Sequence, residues 1–170
     1  LRTEKPRPVR PTNLRAAILA HVAGPLAPAA TFVDRDGRQY VGHFQLGSYS
    51  PNKQNKSRYG LMDIDGGPEH RYSLRYPLAC ARSIREAAAA HGIECYVVRS
   101  SGGFGYHLWF FWGQEEGADV VRRALKSFAA GNFELEHGGF ADVNKNRGLE
   151  AFPKQDHIGQ NGFGNLVYIP

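Results

Sequence analysis

The chain has 170 residues, of which 42% are hydrophobic and 22% are charged, and its formal net charge is +5. This length and composition suit one globular domain with its own hydrophobic core. No apolar run approaches the roughly 20 residues that a membrane span needs, which excludes a transmembrane helix in this sequence. The basic surplus favours partners that carry phosphate groups.

The two ends of the sequence indicate a fragment. Residues 1–12 are basic and interrupted by prolines, so we expect a linker or a disordered N-terminus there, followed by one folded domain over residues 13–170. The sequence starts at Leu1 without a methionine and stops at Pro170 directly after a strand-like run. We therefore expect a larger parent protein that carries additional domains.

Hydrophobic periodicity and turn residues predict the following elements in chain order: a helix over 13–23, strands within 38–50 and at 59–64, a helix over 77–91, strands at 95–99 and 106–112, a helix over 115–130, and strands at 148–152 and 165–169. The apolar residues of the first helix share one face: Leu14, Ile18, Leu19 and Val22. Because strands joined by tight loops mix with helices, the pattern favours an α+β (mixed α/β) fold. We expect a mixed sheet with helices on one side.

The two cysteines lie in apolar surroundings, at Cys80 and Cys95. Two cysteines at this spacing provide neither a disulfide framework nor a zinc site. We expect buried, reduced thiols.

The first chemical signal is Leu61-Met62-Asp63-Ile64-Asp65. Alternate side chains of a strand share a face, so Asp63 and Asp65 project together while Met62 and Ile64 point into the core. Two adjacent carboxylates repel each other unless a cation lies between them, and Mg²⁺ and Mn²⁺ prefer such oxygen ligands. The alternative is a pair of solvated aspartates at an exposed edge.

The second signal is the glycine-rich loop over residues 100–105, which precedes a strand that begins with Tyr106-His107. Glycines in a loop expose backbone N–H groups that can bind phosphate, and a histidine beside them can donate to it. The same pattern is compatible with a simple hairpin turn and a core histidine.

The third signal is Glu150 within an apolar strand, followed by Pro153-Lys154-Gln155-Asp156. An unpaired carboxylate in such a strand is costly and needs a partner, for which a metal ion is one candidate. Lys154 supplies a mobile positive charge suited to phosphate. Asp156 is either a further ligand or a turn residue.

The order of these signals resembles the three motifs of the archaeo-eukaryotic primase superfamily: an Asp-x-Asp strand, a Ser-x-His-type motif and a hydrophobic strand with an acidic residue. The closest resemblance is to the mobile-element and CRISPR-associated branch, whose third region reads Glu-x-Phe-Pro-Lys-Gln, as residues 150–155 do. The segment over residues 162–170 also resembles that branch. The resemblance runs from about residue 40 to the end of the chain.

The resemblance implies a catalytic core with an RNA-recognition-motif-like half and a second small α/β half. It also implies a two-metal site for Mg²⁺ or Mn²⁺ held by Asp63, Asp65 and Glu150, which acts in nucleotidyl transfer. The residues that it assigns to the incoming nucleotide are Ser101, Gly103, Gly105, His107, Lys154 and Gln155. The implied activity is that of a primase-polymerase, in the cytoplasm of a prokaryote and encoded by a phage or plasmid.

The implied partners are a DNA template and primer and nucleoside triphosphates, with no membrane. Lys53, Lys56 and Arg58 either contact DNA phosphates or form a solvated loop. Tyr49, Trp109 and Phe111 are candidates for stacking on a base, although core packing is the expectation for the last two. Two alternative functions are a catalytically inactive nucleic-acid-binding module and a metal-dependent phosphohydrolase. The second would require metal-binding histidines near the aspartates, and His70 is the only one close in sequence.

Overall fold

A computed structural model describes residues 14–23, 30–33, 37–42, 47–100, 102–159 and 162–169. The chain divides into two compact units, residues 1–48 with Ile169 and residues 49–168 with Pro170. The linker predicted over residues 1–12 lies outside the described residues. Within the described ranges, no helix is long and apolar enough to cross a membrane.

The first unit contains helix α1 (Leu14–Ala23) and the strands β1 (Ala30–Val33) and β2 (Gln39–Gly42), which form an antiparallel pair. The predicted apolar face of α1 is not the face that packs in the structure. Leu19 and Val22 are exposed, whereas Ala17 is buried. Apolar residues occur all around this helix, so their spacing did not specify which face packs.

The remaining elements follow in chain order: β3 (Gly47–Ser50), β4 (Lys56–Ile64), α2 (Pro77–Ala89), β5 (Cys95–Arg99), β6 (Tyr106–Gly117), α3 (Ala118–Phe128), a 3₁₀ helix (Val143–Lys145), β7 (Leu149–Phe152) and β8 (Asn165–Tyr168). Strands β3 and β8 form a two-stranded sheet. The other four form a sheet in the order β5-β6-β4-β7, and each neighbouring pair is antiparallel.

The succession β4-α2-β5-β6-α3-β7 is a split β-α-β unit of the kind found in RNA-recognition-motif folds. The predicted α+β class, with a sheet and flanking helices, is therefore confirmed. In this topology β4 is an interior strand, with β6 on one side and β7 on the other. Side chains of β4 are thus held between those of two neighbouring strands.

The third helix begins later than predicted. Residues 115–117 belong to β6, and Gly117 is the residue that precedes the first turn of α3. The physical reason is pairing, because Glu116 and Gly117 lie opposite Ser57 and Lys56 in the ladder with β4. The ladder keeps them extended, although their sequence favours the start of a helix.

Helices α2 and α3 pack on the same face of the four-stranded sheet. Met62 and Phe110 are fully buried there against residues of α2 and α3 such as Ile84 and Leu125. Gly60 permits the close approach of α3, because a Cβ at this position would lie 2.9 Å from a methyl carbon of Leu125. This packing leaves the opposite face of the sheet for other contacts.

The opposite face has a smaller apolar cluster, formed by Leu61, Trp109, Phe152 and Val167. Trp109 is buried, as predicted. The prediction of a core position is wrong for Phe111, which is 59% exposed. Phe111 lies on the same face as Trp109 but further along β6, away from the helices that bury Phe110.

The two cysteines are free and buried, which confirms that prediction. Burial raises the pKa of Cys80 to about 12 and that of Cys95 to about 11. Both thiols therefore stay protonated at pH 7.5, and the thiolate is the reactive form. We expect a thiol-specific reagent to label the native protein at least about 100-fold more slowly than the protein unfolded in guanidinium. Rapid labelling of the native chain would contradict this expectation.

Candidate active site

Three side chains of the predicted motifs lie side by side across three strands. Asp63 on β4 is directly opposite His107 on β6 and directly opposite Glu150 on β7. Directly opposite residues of antiparallel strands project from the same face of the sheet. Asp65 follows Asp63 by two positions, just beyond the end of β4, and its carboxylate feels the charges of Asp63 and Glu150. The fold thus brings the three predicted carboxylates together.

Each carboxylate contacts a basic side chain: Asp63 Oδ1 lies 3.4 Å from His107 Nε2, Asp65 Oδ1 lies 3.5 Å from His70 Nδ1, and Glu150 Oε2 lies 2.5 Å from Lys154 Nζ. The side chains of the three acidic residues are 22% to 30% exposed. They are accessible enough to meet a ligand and buried enough for their charges to interact strongly.

Burial and neighbouring negative charges disfavour the ionised form of Asp65. Burial raises the pKa of Asp65 most, and the negative charges of Asp63 and Glu150 raise it further, while His70 and Lys154 lower it. The ionised form of Asp65 is thus disfavoured where it stands. A divalent cation beside Asp65 would relieve this repulsion.

The donor chemistry of the cluster fits a hard divalent cation, because carboxylate oxygens are the ligands that Mg²⁺ and Mn²⁺ prefer. The side-chain positions are not those of a finished metal site. Among the described residues, no group of three or more His, Cys, Asp or Glu side chains is placed to hold one metal ion. Glu150 instead faces Lys154 and Asp63 faces His107.

A cavity of about 350 Å³ opens beside the carboxylates. Its walls include Asp63, Asp65 and His107, together with the loop that follows β4 and the loop that precedes β6. Gly105 also lines it, whereas Gly103 is exposed nearby at the tip of the loop. The cavity therefore joins the first two predicted motifs into one site.

Lys154 and Gln155, which were also predicted to bind nucleotide, do not line this cavity. Lys154 pairs with Glu150, and its ammonium also lies 4.7 Å from the centre of the Phe152 ring. The Gln155 side-chain amide donates a hydrogen bond of 3.4 Å to the backbone carbonyl of Phe163. Ser101 lies outside the described residues. Lys154 therefore lies beside the carboxylates, whereas the Gln155 side chain is bonded to the segment that contains Phe163.

The glycines of the loop before β6 form hydrogen bonds within the loop and allow it to lie close to β4, which their sequence pattern did not indicate. The Gly103 N–H donates to the Ser100 carbonyl at 2.9 Å and the Gly105 N–H donates to Ser100 Oγ at 3.1 Å. These two N–H groups close the loop on itself. A Cβ at Gly105 would lie only 2.3 Å from the Ile64 carbonyl oxygen, so this glycine is needed for close approach of the backbone to the end of β4.

The loop after β4 in turn lies very close to Phe104 in the loop before β6. A Cβ at Gly66 would lie 2.1 Å from the carbonyl oxygen of Phe104, and one at Gly67 would overlap the Phe104 ring. Sequence reasoning did not single out Gly66, Gly67 or Phe104 as site residues. The repeated glycines on both sides of the cavity were the available signal.

Arg122 is a site-supporting residue that sequence reasoning missed. It lies on α3 and donates hydrogen bonds to the Lys154 carbonyl at 2.9 Å and to Asp156 Oδ2 at 2.5 Å. Asp156 thus pairs with an arginine, and its bonded oxygen anchors the loop after β7. No sequence signal links residues 34 positions apart.

We expect Arg122→Leu to lower the free energy of unfolding by about 1–2 kcal/mol, because it removes two part-buried hydrogen bonds of a charged guanidinium, one of them to a carboxylate. Arg123→Leu is the matched control on the same helix. Arg123 is 72% exposed and pairs only with Asp119 at 3.1 Å among the contacts described for it, so its loss should cost less than about 0.5 kcal/mol. Urea unfolding of both variants measures the difference. Equal effects would show that Arg122 does not anchor the loop.

Comparison with known proteins assigns the chain to a family. A family model described as the archaeo-eukaryotic primase domain of TOTE conflict systems matches residues 15–170. No curated protein matches the chain significantly. The family match spans both units and includes all three motifs. The chain therefore belongs to the archaeo-eukaryotic primase superfamily, whose domains are primase-like nucleotidyltransferases, and within it to the TOTE conflict-system family.

Proposed function

We propose that this domain catalyses template-directed nucleotidyl transfer on a DNA primer–template, as a metal-dependent primase-polymerase. The observation that carries the proposal is the row of His107, Asp63 and Glu150 across three strands, with Asp65 next to it and the cavity alongside. A site for phosphoryl chemistry needs clustered carboxylates beside a space for the substrate, and this face supplies both.

Domains of this superfamily are generally metal-dependent. In this chain Asp63, Asp65 and Glu150 would hold Mg²⁺ or Mn²⁺, and two bound ions would activate a 3′-hydroxyl and stabilise charge on the phosphates. The raised pKa of Asp65 supports this assignment, because it arises in part from the two neighbouring carboxylates. Lys154 pairs with one carboxylate oxygen of Glu150, so Glu150 would meet a cation through its other oxygen or after Lys154 turns away.

The release of Lys154 gives that residue a role. Its ammonium is now neutralised by Glu150 at 2.5 Å. If Lys154 turned away from Glu150, its ammonium would be free to pair with a phosphate oxygen of the nucleotide. Its backbone carbonyl would stay bonded to Arg122 during that change of partner.

His107 is the second residue proposed to contact the triphosphate. Its Nε2 faces Asp63, and its Nδ1 is buried without a hydrogen-bond partner among the described residues. A buried polar atom without a partner is costly, and His107 lines the cavity. Nδ1 would reach a phosphate oxygen in the cavity only after the ring turns, because this atom is buried as it stands.

A second candidate function, metal-dependent hydrolysis of a phosphate ester, has a specific observation in its favour. That reaction favours histidines beside the aspartates, and the structure places His70 against Asp65 and His107 against Asp63. The family assignment favours nucleotidyl transfer.

Labelling two different phosphates distinguishes these reactions. The protein is incubated with a primer–template, Mg²⁺ or Mn²⁺, and nucleoside triphosphates labelled at either the α- or the γ-phosphate. Nucleotidyl transfer moves the α-label into the primer and releases the γ-label as pyrophosphate. Release of inorganic phosphate without incorporation would identify a hydrolase. DNA binding without either product would identify an inactive binding module.

A further inference from the structure

The face of the four-stranded sheet that carries the carboxylates also carries two exposed aromatic rings. Phe111 on β6 is 59% exposed and Tyr96 on β5 is 50% exposed. Their ring centroids lie 5.8 Å apart in an edge-to-face arrangement. Isolated exposed apolar side chains are common, but two rings in contact on adjacent strands form a patch, and such patches mark binding surfaces. We call Tyr96 and Phe111 the aromatic shelf.

Packed neighbours fix the orientation of the shelf. The rings of Phe111 and buried Trp109 are nearly parallel, at an interplanar angle of 10° with centroids 6.3 Å apart. Tyr96 contacts Phe111 edge to face. Because the Phe111 ring is already held by Trp109, a ligand that stacks on it would pay little of the entropy usually lost in ordering that side chain.

The shelf and the carboxylates belong to one continuous face. Phe111 follows His107 by four positions on the same strand, which is roughly 13 Å at the usual rise of a β-strand. His107 is in turn directly opposite Asp63. A ligand long enough to span this distance would touch the shelf and reach the site at once.

Other aromatic residues share the face of the shelf. Tyr59 of β4 lies directly opposite Phe111 and therefore projects from the same face. A polymer that combines flat bases with phosphate groups matches exposed rings on the face that also carries the carboxylates.

We propose that the aromatic shelf binds a single-stranded stretch of nucleic acid, whose bases stack on Phe111 and Tyr96. The strand then continues along the same face toward Asp63. The identification of this strand as the template rests on the proposed function, whereas its binding does not. Stacking on aromatic side chains tolerates any sequence, because every base has a π-face.

The test measures the Kd of a short fluorescent single-stranded oligonucleotide by anisotropy, with neither metal nor nucleotide present. Phe111→Ala should raise the Kd by about 5- to 150-fold, the effect of losing one base–aromatic stack. Phe111→Tyr should keep the native Kd, and Phe111→Leu, which preserves apolar volume but has no π-face, should weaken binding like alanine. Phe140→Ala is the matched control, since Phe140 is also 59% exposed but lies outside the four-stranded sheet.

Thermal unfolding of each variant shows that the fold is retained. If Phe111→Ala binds the oligonucleotide as tightly as Phe140→Ala does, the proposal is wrong. An unchanged Kd together with altered sedimentation of the protein alone would assign the shelf to protein contacts and overturn it as well. Native binding that depends on Phe111, in a protein that incorporates no nucleotide, would refute the proposed function and leave this inference standing.

Discussion

Asp63→Asn should reduce nucleotide incorporation by about 10³-fold or more while the protein stays folded. Asp63 is the central member of the row, between His107 and Glu150, and asparagine keeps its size but removes its charge. Its contact with His107 is partly exposed, so the free energy of unfolding should change by less than about 1 kcal/mol. Single-turnover primer extension measures the rate, and thermal unfolding measures the stability.

Asp119→Asn provides the control for loss of a carboxylate. Asp119 lies on α3, is 46% exposed and pairs with Arg123. Incorporation by this variant should stay within about twofold of native, because an exposed ion pair contributes little. If Asp63→Asn were as active as Asp119→Asn, the carboxylate row could not be the catalytic centre.

Gly105→Ala should destabilise the protein by about 2–3 kcal/mol, because the new methyl group would meet the Ile64 carbonyl oxygen at 2.3 Å. Backbone cannot turn aside as a flexible side chain does, so the loop before β6 must move away from the end of β4. That movement shifts His107 and the cavity wall. We expect incorporation to fall by about 10²-fold as well, the usual cost of misplacing reacting groups by an ångström.

Gly102→Ala is the stability control within the same loop. A Cβ at Gly102 would meet open space. We expect the free energy of unfolding of this variant to equal that of the native protein or to exceed it by up to about 1 kcal/mol, because alanine lowers the conformational entropy of the unfolded chain. Urea unfolding compares the two variants. If Gly102→Ala lowered the free energy of unfolding as much as Gly105→Ala does, the close approach of residue 105 to the Ile64 carbonyl could not explain the requirement for glycine there. The flexibility of glycine in the loop would explain it instead.

The parts of the site that depend on local sequence were predictable. Alternation along a strand placed Asp63 and Asp65 on one face and Met62 in the core, and the structure agrees. Flanking glycines and the helix-forming alanines bounded β4 and α2 within a few residues. These features need only the geometry of one element, which the residues themselves specify.

The parts that depend on pairing between distant segments were not predictable. The register that sets Asp63 opposite both His107 and Glu150 is a property of the strand order, which periodicity does not contain. The Arg122 anchor likewise joins α3 to the loop after β7. The same effect explains the misplaced start of the third helix, since cross-strand pairing overrode the local preference of residues 115–117.

The exposed position of Phe111 has a similar origin. An aromatic run over residues 109–112 predicts buried side chains. Helices that cover one face of a sheet, however, bury only alternate residues of such a run. Phe110 faces the helices and Trp109 joins the smaller cluster, which leaves Phe111 beyond both. Knowledge of which face the helices cover was needed to separate these residues.

The central claim is that Asp63, Asp65 and Glu150 bind a divalent cation beside the cavity. Its most direct test is a crystal grown with Mn²⁺ and a non-hydrolysable nucleoside triphosphate, in which anomalous scattering locates the manganese. We predict manganese bonded to the carboxylates of Asp63, Asp65 and Glu150, with Lys154 turned from Glu150 toward a phosphate oxygen. Nucleotide bound in the cavity with manganese absent from these carboxylates, or bound elsewhere on the protein, would contradict the account.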